Sequence, residues 1–81
     1  MPTKSVTVGS SVGLHARPAA IISEAAGGLG STVTINGVDA SSSLMIMTLG
    51  AKCGDTVEVA GDDQGAVDQI AGLVEQDLDA D

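Results

Sequence analysis

Near the start of the chain, Val6 and Val8 alternate with Thr3, Ser5 and Thr7, the period of two expected of a half-buried strand over Thr3–Val8. The period then changes. Pro18, Ile22, Ala25, Ala26 and Leu29 recur at helical spacing, predicting a helix from Ala16 to Ala26 that ends at Gly27, Gly28 and Gly30. Thr32 to Ile35 reads as a second strand with Val33 and Ile35 facing inward. Asn36-Gly37 then signals a two-residue hairpin, because both residues tolerate positive φ, and sets Ile35 opposite Val38. Ser41, Ser42 and Ser43 offer caps for a short helix from Leu44 to Leu49 that Gly50 closes. Thr56 to Ala60 gives a fourth strand with Val57 and Val59 inward. Asp62 or Asp63 caps a last helix whose buried stripe is Val67, Ile70, Ala71, Val74 and Leu78.

The order β-α-β-β-α-β-α predicts an α+β open-faced β-sandwich with its helices on one face of the sheet. A right-handed crossover through the first helix leaves room for the fourth strand between the first two. No internal repeat or linker interrupts the chain, so residues 1–81 are expected to form one domain. The core has to be aliphatic, since there is no Phe, Tyr or Trp. Such a core packs closely only between thin layers.

Charge and cysteine content narrow the function. The net charge is −8, and Lys4, Arg17 and Lys52 are the only basic side chains, which excludes a nucleic-acid partner. Glu75, Asp77, Asp79 and Asp81 crowd the C-terminal end, which reads as a solvated, fraying helix end in preference to an acidic docking tail. A single cysteine, Cys53, precludes an intramolecular disulfide and suits a reducing compartment. No apolar run is long enough for membrane insertion, and no signal peptide is evident, so a cytoplasmic protein is expected.

Two segments carry chemistry. In the middle helix, Leu44, Met45, Ile46, Met47 and Leu49 are apolar on nearly every side, more than a short helix can bury against one sheet. Either the helix is wedged into the core or part of it is an exposed patch that docks a partner, with pliable Met side chains accepting more than one. The second segment is Gly13-Leu14-His15-Ala16-Arg17-Pro18-Ala19, which holds the only histidine at the predicted start of a helix. Pro18 is tolerated there, because first-turn amides have no intrahelical acceptor. Those amides and the positive end of the helix dipole form a cradle for an anion, and the fork of Arg17 suits phosphate oxygens. The same positive charges favour the neutral imidazole, the form that attacks phosphorus. A purely structural histidine remains the competing reading. One His and one Cys cannot build a zinc site, no nucleophile elbow supports a serine hydrolase, and no phosphate-binding GxxxxGK[ST] loop is present.

The segment Gly13–Ala19 closely resembles the active site of HPr proteins, the histidine-containing phosphocarriers of the phosphoenolpyruvate:sugar phosphotransferase system. Leu44 to Gly50, ending in Thr48-Leu49-Gly50, is similar to the family's short helix and following turn, and the likeness extends over almost the whole chain. It implies a four-stranded antiparallel sheet of order 1-4-2-3 covered on one face by three helices. It also implies a carrier with no catalytic turnover of its own and no cofactor. On this resemblance His15 takes a phosphoryl group on Nδ1 from phospho-enzyme I and passes it to a histidine on the A component of sugar-specific enzymes II. Arg17 orients and neutralises the group, and the backbone amides of Ala16 and Arg17 contact it. Ala20, Leu44, Met45, Met47 and Thr48 match positions that dock both partners. Ser42 matches the site at which, in some bacteria, an ATP-dependent regulatory kinase acts, although an N-cap role explains the serine without a kinase.

Two departures stand out. The Asn36-Gly37 hairpin is shorter than is usual in the family. Docking-face positions that often hold lysine are Glu24, Gly27, Ser41 and Met45 here, so steering toward an acidic partner is weak or reversed. A monomeric shuttle is expected. A regulatory binding module of the same type, or a carrier serving a nitrogen-regulatory branch, are the alternatives; retention of His15, Arg17 and Pro18 together argues against the first.

Overall fold

The computed structural model describes residues 2–10, 13–14 and 16–76. Its elements follow the predicted order: β1 (Thr3–Thr7), α1 (Ala16–Gly27), β2 (Val33–Ile35), β3 (Val38–Asp39), α2 (Ser43–Thr48), β4 (Thr56–Gly61) and α3 (Gln64–Glu75). The strands form one sheet of order β1-β4-β2-β3 in which every neighbouring pair is antiparallel. Because β4 runs antiparallel to both β1 and β2, those two strands are parallel to each other with β4 between them. The space predicted for the fourth strand is filled by it.

Alternation sets which face of the sheet is covered. Val6, Val33, Ile35, Val57 and Val59 are buried, while Thr3, Ser5, Thr7, Thr56 and Glu58 point to solvent. Val8 lies just past β1 but is buried, and its backbone pairs with the turn before β4: its amide donates to Asp55 O at 2.8 Å and its carbonyl accepts from Gly54 N at 3.0 Å. On the covered side, α3 lies across β1 and β4, and α1 packs on α3 and α2. Ala66, Val67, Ile70, Ala71 and Val74 of α3 meet Pro18, Ala19, Ile22 and Ala26 of α1 in a core without aromatic rings. Ala25 and Leu29, read as part of the stripe, are only partly buried at its margin. Leu78, expected in the stripe of α3, and the acidic positions Asp77, Asp79 and Asp81 lie outside the described residues.

The hairpin forms as its sequence predicts. Asn36 and Gly37 both take positive φ, 49° and 85°, and Ile35 pairs with Val38. Asn36 adds a contact that alternation does not foretell. Its amide donates to Glu58 O and its side-chain Oδ1 accepts from Glu58 N, each at 2.8 Å, extending the β2–β4 ladder beyond Ile35. Asp63 occupies the N-cap of α3 in extended backbone, but without a side-chain capping bond; its carbonyl accepts the Val67 amide at 3.0 Å.

At the exit from β1, Gly9 donates to Val74 O at 3.0 Å and lies so close to the end of α3 that a Cβ would run into the Glu75 carbonyl oxygen. Backbone cannot yield there as a flexible side chain could. Gly9→Ala is therefore expected to lower stability by about 1–3 kcal/mol, read as a lower urea midpoint with an unchanged slope. An unchanged midpoint would show that α3 is not held at this contact.

Candidate functional site

Three backbone segments meet where the residues preceding α1 begin. The exit of β1 supplies Gly9 and Ser10, the turn before β4 supplies Ala51 to Asp55, and Gly13 and Leu14 lead to the helix. Ser10 is fully buried; its hydroxyl donates to Gln76 O at 3.2 Å, and its carbonyl accepts the Gly13 amide at 2.9 Å. Leu14, 2% exposed, donates its amide to Ala51 O at 3.0 Å. Gly13 fits between them at φ +77°, where an added Cβ would strike that same Ala51 oxygen and stand 2.8 Å from Lys52 Cα. Both the left-handed φ and the close approach require glycine here.

The opposing turn is fixed by its own side chain. Asp55 Oδ2 accepts the Lys52 amide at 2.9 Å, and Lys52 O accepts the Asp55 amide at 2.9 Å. The carbonyl that holds Leu14 is thereby held in turn. None of these backbone partners carries a sequence signature apart from Asp55, whose short polar side chain is a familiar turn former.

His15 lies outside the described residues. It is the one residue between Leu14, tied to Ala51, and Ala16, the first residue of α1. Ala16 and Arg17 are both exposed, and a helix directs its first-turn N–H groups out of this end. Pro18 falls within the first turn, where its missing N–H costs no helical hydrogen bond, and its ring is buried.

Beyond the first turn, Ala20, Glu24 and Gly27 continue the exposed face of α1. The neighbouring α2 divides its apolar residues by helical geometry. Ile46 is fully buried and Met47 and Leu49 partly so, whereas Leu44 is 67% exposed and Met45 43% exposed. The helix is wedged into the core on one side and leaves an exposed apolar patch on the other. Of the expected docking residues, Ala20, Leu44, Met45 and Thr48 lie exposed on the adjoining helices α1 and α2, and Met47 is half-buried.

Ser42 is the N-cap of α2. Its Oγ accepts the Met45 amide at 3.4 Å and its carbonyl accepts Ile46 N at 3.1 Å. A phosphate at Ser42 would have to replace or re-form that cap. Ser41 acts one step earlier, its hydroxyl and amide donating to Asp39 Oδ1 at 2.7 and 2.9 Å. The Ser41 hydroxyl, and after it the Ser41 amide, hold the exposed Asp39 carboxyl below its ordinary value of 3.8. At the far end, Gly50 takes φ +64° and its amide returns to Met47 O at 3.3 Å, closing the helix. Among the described residues no helix is long and apolar enough to cross a membrane, and no cluster of His, Cys, Asp and Glu could hold a metal ion.

A four-stranded antiparallel sheet of order 1-4-2-3 covered on one face by three helices is the open-faced sandwich that the resemblance implied. Residues 2–76 match the PTS HPr family model, described as the PTS HPr component phosphorylation site. The chain is 39% identical over 87 residues to the phosphocarrier protein HPr of Streptomyces coelicolor, with 98% of this chain and 94% of that protein covered. Among solved structures, HPr-C-His from Thermoanaerobacter tengcongensis superposes with a TM-score of 0.88 at 26% identity, covering 100% of this chain and 99% of that one. A phosphocarrier protein HPr from Bacillus anthracis gives a TM-score of 0.83 at 28% identity, covering 90% and 95%. The chain belongs to the HPr family, the phosphocarriers of the phosphotransferase system.

The division of α2 has a direct energetic consequence. Ile46→Ala is expected to cost about 2–5 kcal/mol in chemical denaturation, whereas Leu44→Ala stays within about 0.5 kcal/mol of the parent. Equal losses would place both side chains in the core. The Asp39 turn adds a pH dependence. A depressed carboxylate contributes stability above its unfolded value and loses it as pH falls through its folded value. Ser41→Ala should raise the Asp39 value toward 3.8, followed by carboxyl-carbon NMR. The stability gap between parent and variant should narrow on acidification below about pH 4; a gap that stays constant would remove Asp39 from the turn.

Proposed function

We propose that His15 is the phosphoryl acceptor, loaded by phospho-enzyme I and unloaded onto the A components of sugar-specific enzymes II. The observation that supports this most directly is the fixed backbone on either side of it. Leu14 is tied to Ala51 O at 3.0 Å and α1 begins at Ala16, so His15 joins a pinned turn to a helix start. A neutral imidazole nitrogen attacks phosphorus, and the bond to the donor atom of phospho-enzyme I breaks with its electron pair leaving on that atom. The resulting anion lies at the helix end that favours negative charge, toward which the amides of Ala16 and Arg17 point. The Arg17 guanidinium orients and partly neutralises it.

The docking face combines Ala20 on α1 with Leu44, Met45, Met47 and Thr48 on α2. Exposure of Leu44 and Met45 supports an apolar contact with the partner proteins. Water is excluded by such contact while the group moves between two proteins, which a carrier without a cleft cannot achieve alone.

Intact-mass measurement after incubation with phosphoenolpyruvate and enzyme I tests this reading. One added phosphoryl group, lost on brief acid treatment, is expected, and His15→Ala should fold normally and acquire none. Labelling of that variant at the parent level would overturn the assignment. Arg17→Ala should accept the group about ten- to a hundredfold more slowly, the kinetic equivalent of one charge-assisted hydrogen bond. An unchanged rate would remove its role.

A further inference from the structure

The far end of α1 holds a carboxylate that the stability of the helix argues against. Glu24 stands in the last turn, at the negative end of the helix dipole, where a cation is favoured and an acid disfavoured. The residues three and four positions to either side are Ala20, Ile21, Gly27 and Gly28, so no basic side chain on α1 is spaced to offset it. The net charge of −8 deepens the negative potential there.

Glu24 borders an open groove between α1 and α3, about 540 Å³ in volume and lined by Ile21, Glu24, Ala25, Gly28, Leu29 and Gln69. Ile21, Ala25 and Leu29 follow at four-residue spacing and are each half-buried, which gives the groove an apolar wall. Gln69 of α3 adds an amide oxygen able to accept hydrogen bonds. Asp68, next to it in sequence, accepts from Gln64 Nε2 at 2.8 Å, and among the described residues Glu24 is the charged member of the lining. Too open to enclose a small molecule, the groove suits one long side chain laid along it. Gly28 keeps it clear. Its φ lies outside the left-handed region that Gly30 occupies at +73°, and an added Cβ would stand 3.7 Å from Ala25 O and 3.8 Å from Glu24 O, ordinary contact distances. Neither backbone nor packing demands glycine here. A side chain would instead cover the two last-turn carbonyls, which share the Gly28 amide through long bonds of 3.2 and 3.3 Å and keep lone pairs to spare.

We propose that this groove seats an arginine side chain of a partner protein. The aliphatic stem lies on Ile21, Ala25 and Leu29, and the guanidinium meets the Glu24 carboxylate. The Gln69 oxygen and the last-turn carbonyls take its remaining N–H groups. A guanidinium is favoured over an ammonium because its planar fork serves several acceptors at once. Glu24 thereby selects partners by charge, since an acidic side chain presented at this point is repelled. The assignment does not rest on His15, and its test uses no phosphotransfer partner, so the two readings fail separately.

The probe is N-acetyl-arginine methylamide, titrated at low salt into isotope-labelled protein and followed by amide NMR, with the uncharged citrulline analogue as reference. Saturable shifts centred on Glu24, Gly28 and Gln69 are expected with the arginine probe and none with citrulline. Glu24→Gln should weaken binding about tenfold, the loss of one charge-assisted contact. Gly28→Val should abolish it, and Glu58→Gln, on the uncovered face of the sheet, should leave it unchanged. Shifts that do not saturate, or that citrulline reproduces, overturn the proposal, as does binding by Glu24→Gln at the parent level. If Glu58→Gln weakens binding as much as Glu24→Gln, the effect is general charge and the proposal falls equally. Shifts of the same amides that grow with protein concentration in the absence of the probe would assign the groove to a second copy of the chain, and the proposal would fall with them.

Discussion

One hydrogen bond, from the Leu14 amide to the Ala51 carbonyl, joins two distant parts of the chain. On one side is the turn that ends at α1; on the other is the turn that feeds β4 into the middle of the sheet. The bond closes only because Gly13 occupies a conformation open to few other residues and has no Cβ to obstruct the same carbonyl. The helix start, the turn before β4 and the exit of β1 meet around it. A clasp of main-chain atoms thus holds the approach to α1 against the turn before β4.

The rest of the molecule makes that clasp rigid at small cost in material. A core of Val, Ile, Ala and Pro, with Ile22, Ile35, Ile46 and Ile70 fully buried, keeps helices and sheet close together. Ile46 plugs α2 into this core from one side of a six-residue helix, which leaves Leu44 and Met45 no interior to enter. Their exposure is a geometrical result of the short helix as much as a property of the residues. The same packing that stabilises the fold presents the apolar face of α2 beside α1.

Periodic features were legible in the sequence. The alternation of Val57 and Val59, the helical spacing of Val67, Ile70, Ala71 and Val74, and the Asn-Gly turn that pairs Ile35 with Val38 each depend on local residue choice, and each is found. The motif around His15 pointed to the HPr family, to which the chain belongs. What could not be read were contacts made by backbone atoms across the fold. The Ala51 carbonyl and the approach of Gly9 to Glu75 leave no trace in residue type, since any residue has a carbonyl and glycines occur for many reasons. Among Ser41, Ser42 and Ser43 the sequence could not choose a cap. The Asp39 turn decides it, taking Ser41 for its own carboxylate and leaving Ser42 at the helix start.

The strand order also governs when the site can exist. β1 and β4 are neighbours in the sheet but come from distant parts of the chain, whereas the β2–β3 hairpin and the helices are local. Joining distant segments carries a loop-closure entropy that local elements avoid, so such pairings come late and slow folding. The Leu14–Ala51 clasp bridges the same two regions, adjoining the β1–β4 pair through Val8 and Asp55. A nascent chain, or one that has opened at its β1 edge, lacks this clasp beside the start of α1. On the proposed role of His15, competence to carry a phosphoryl group would be a readout of completed folding.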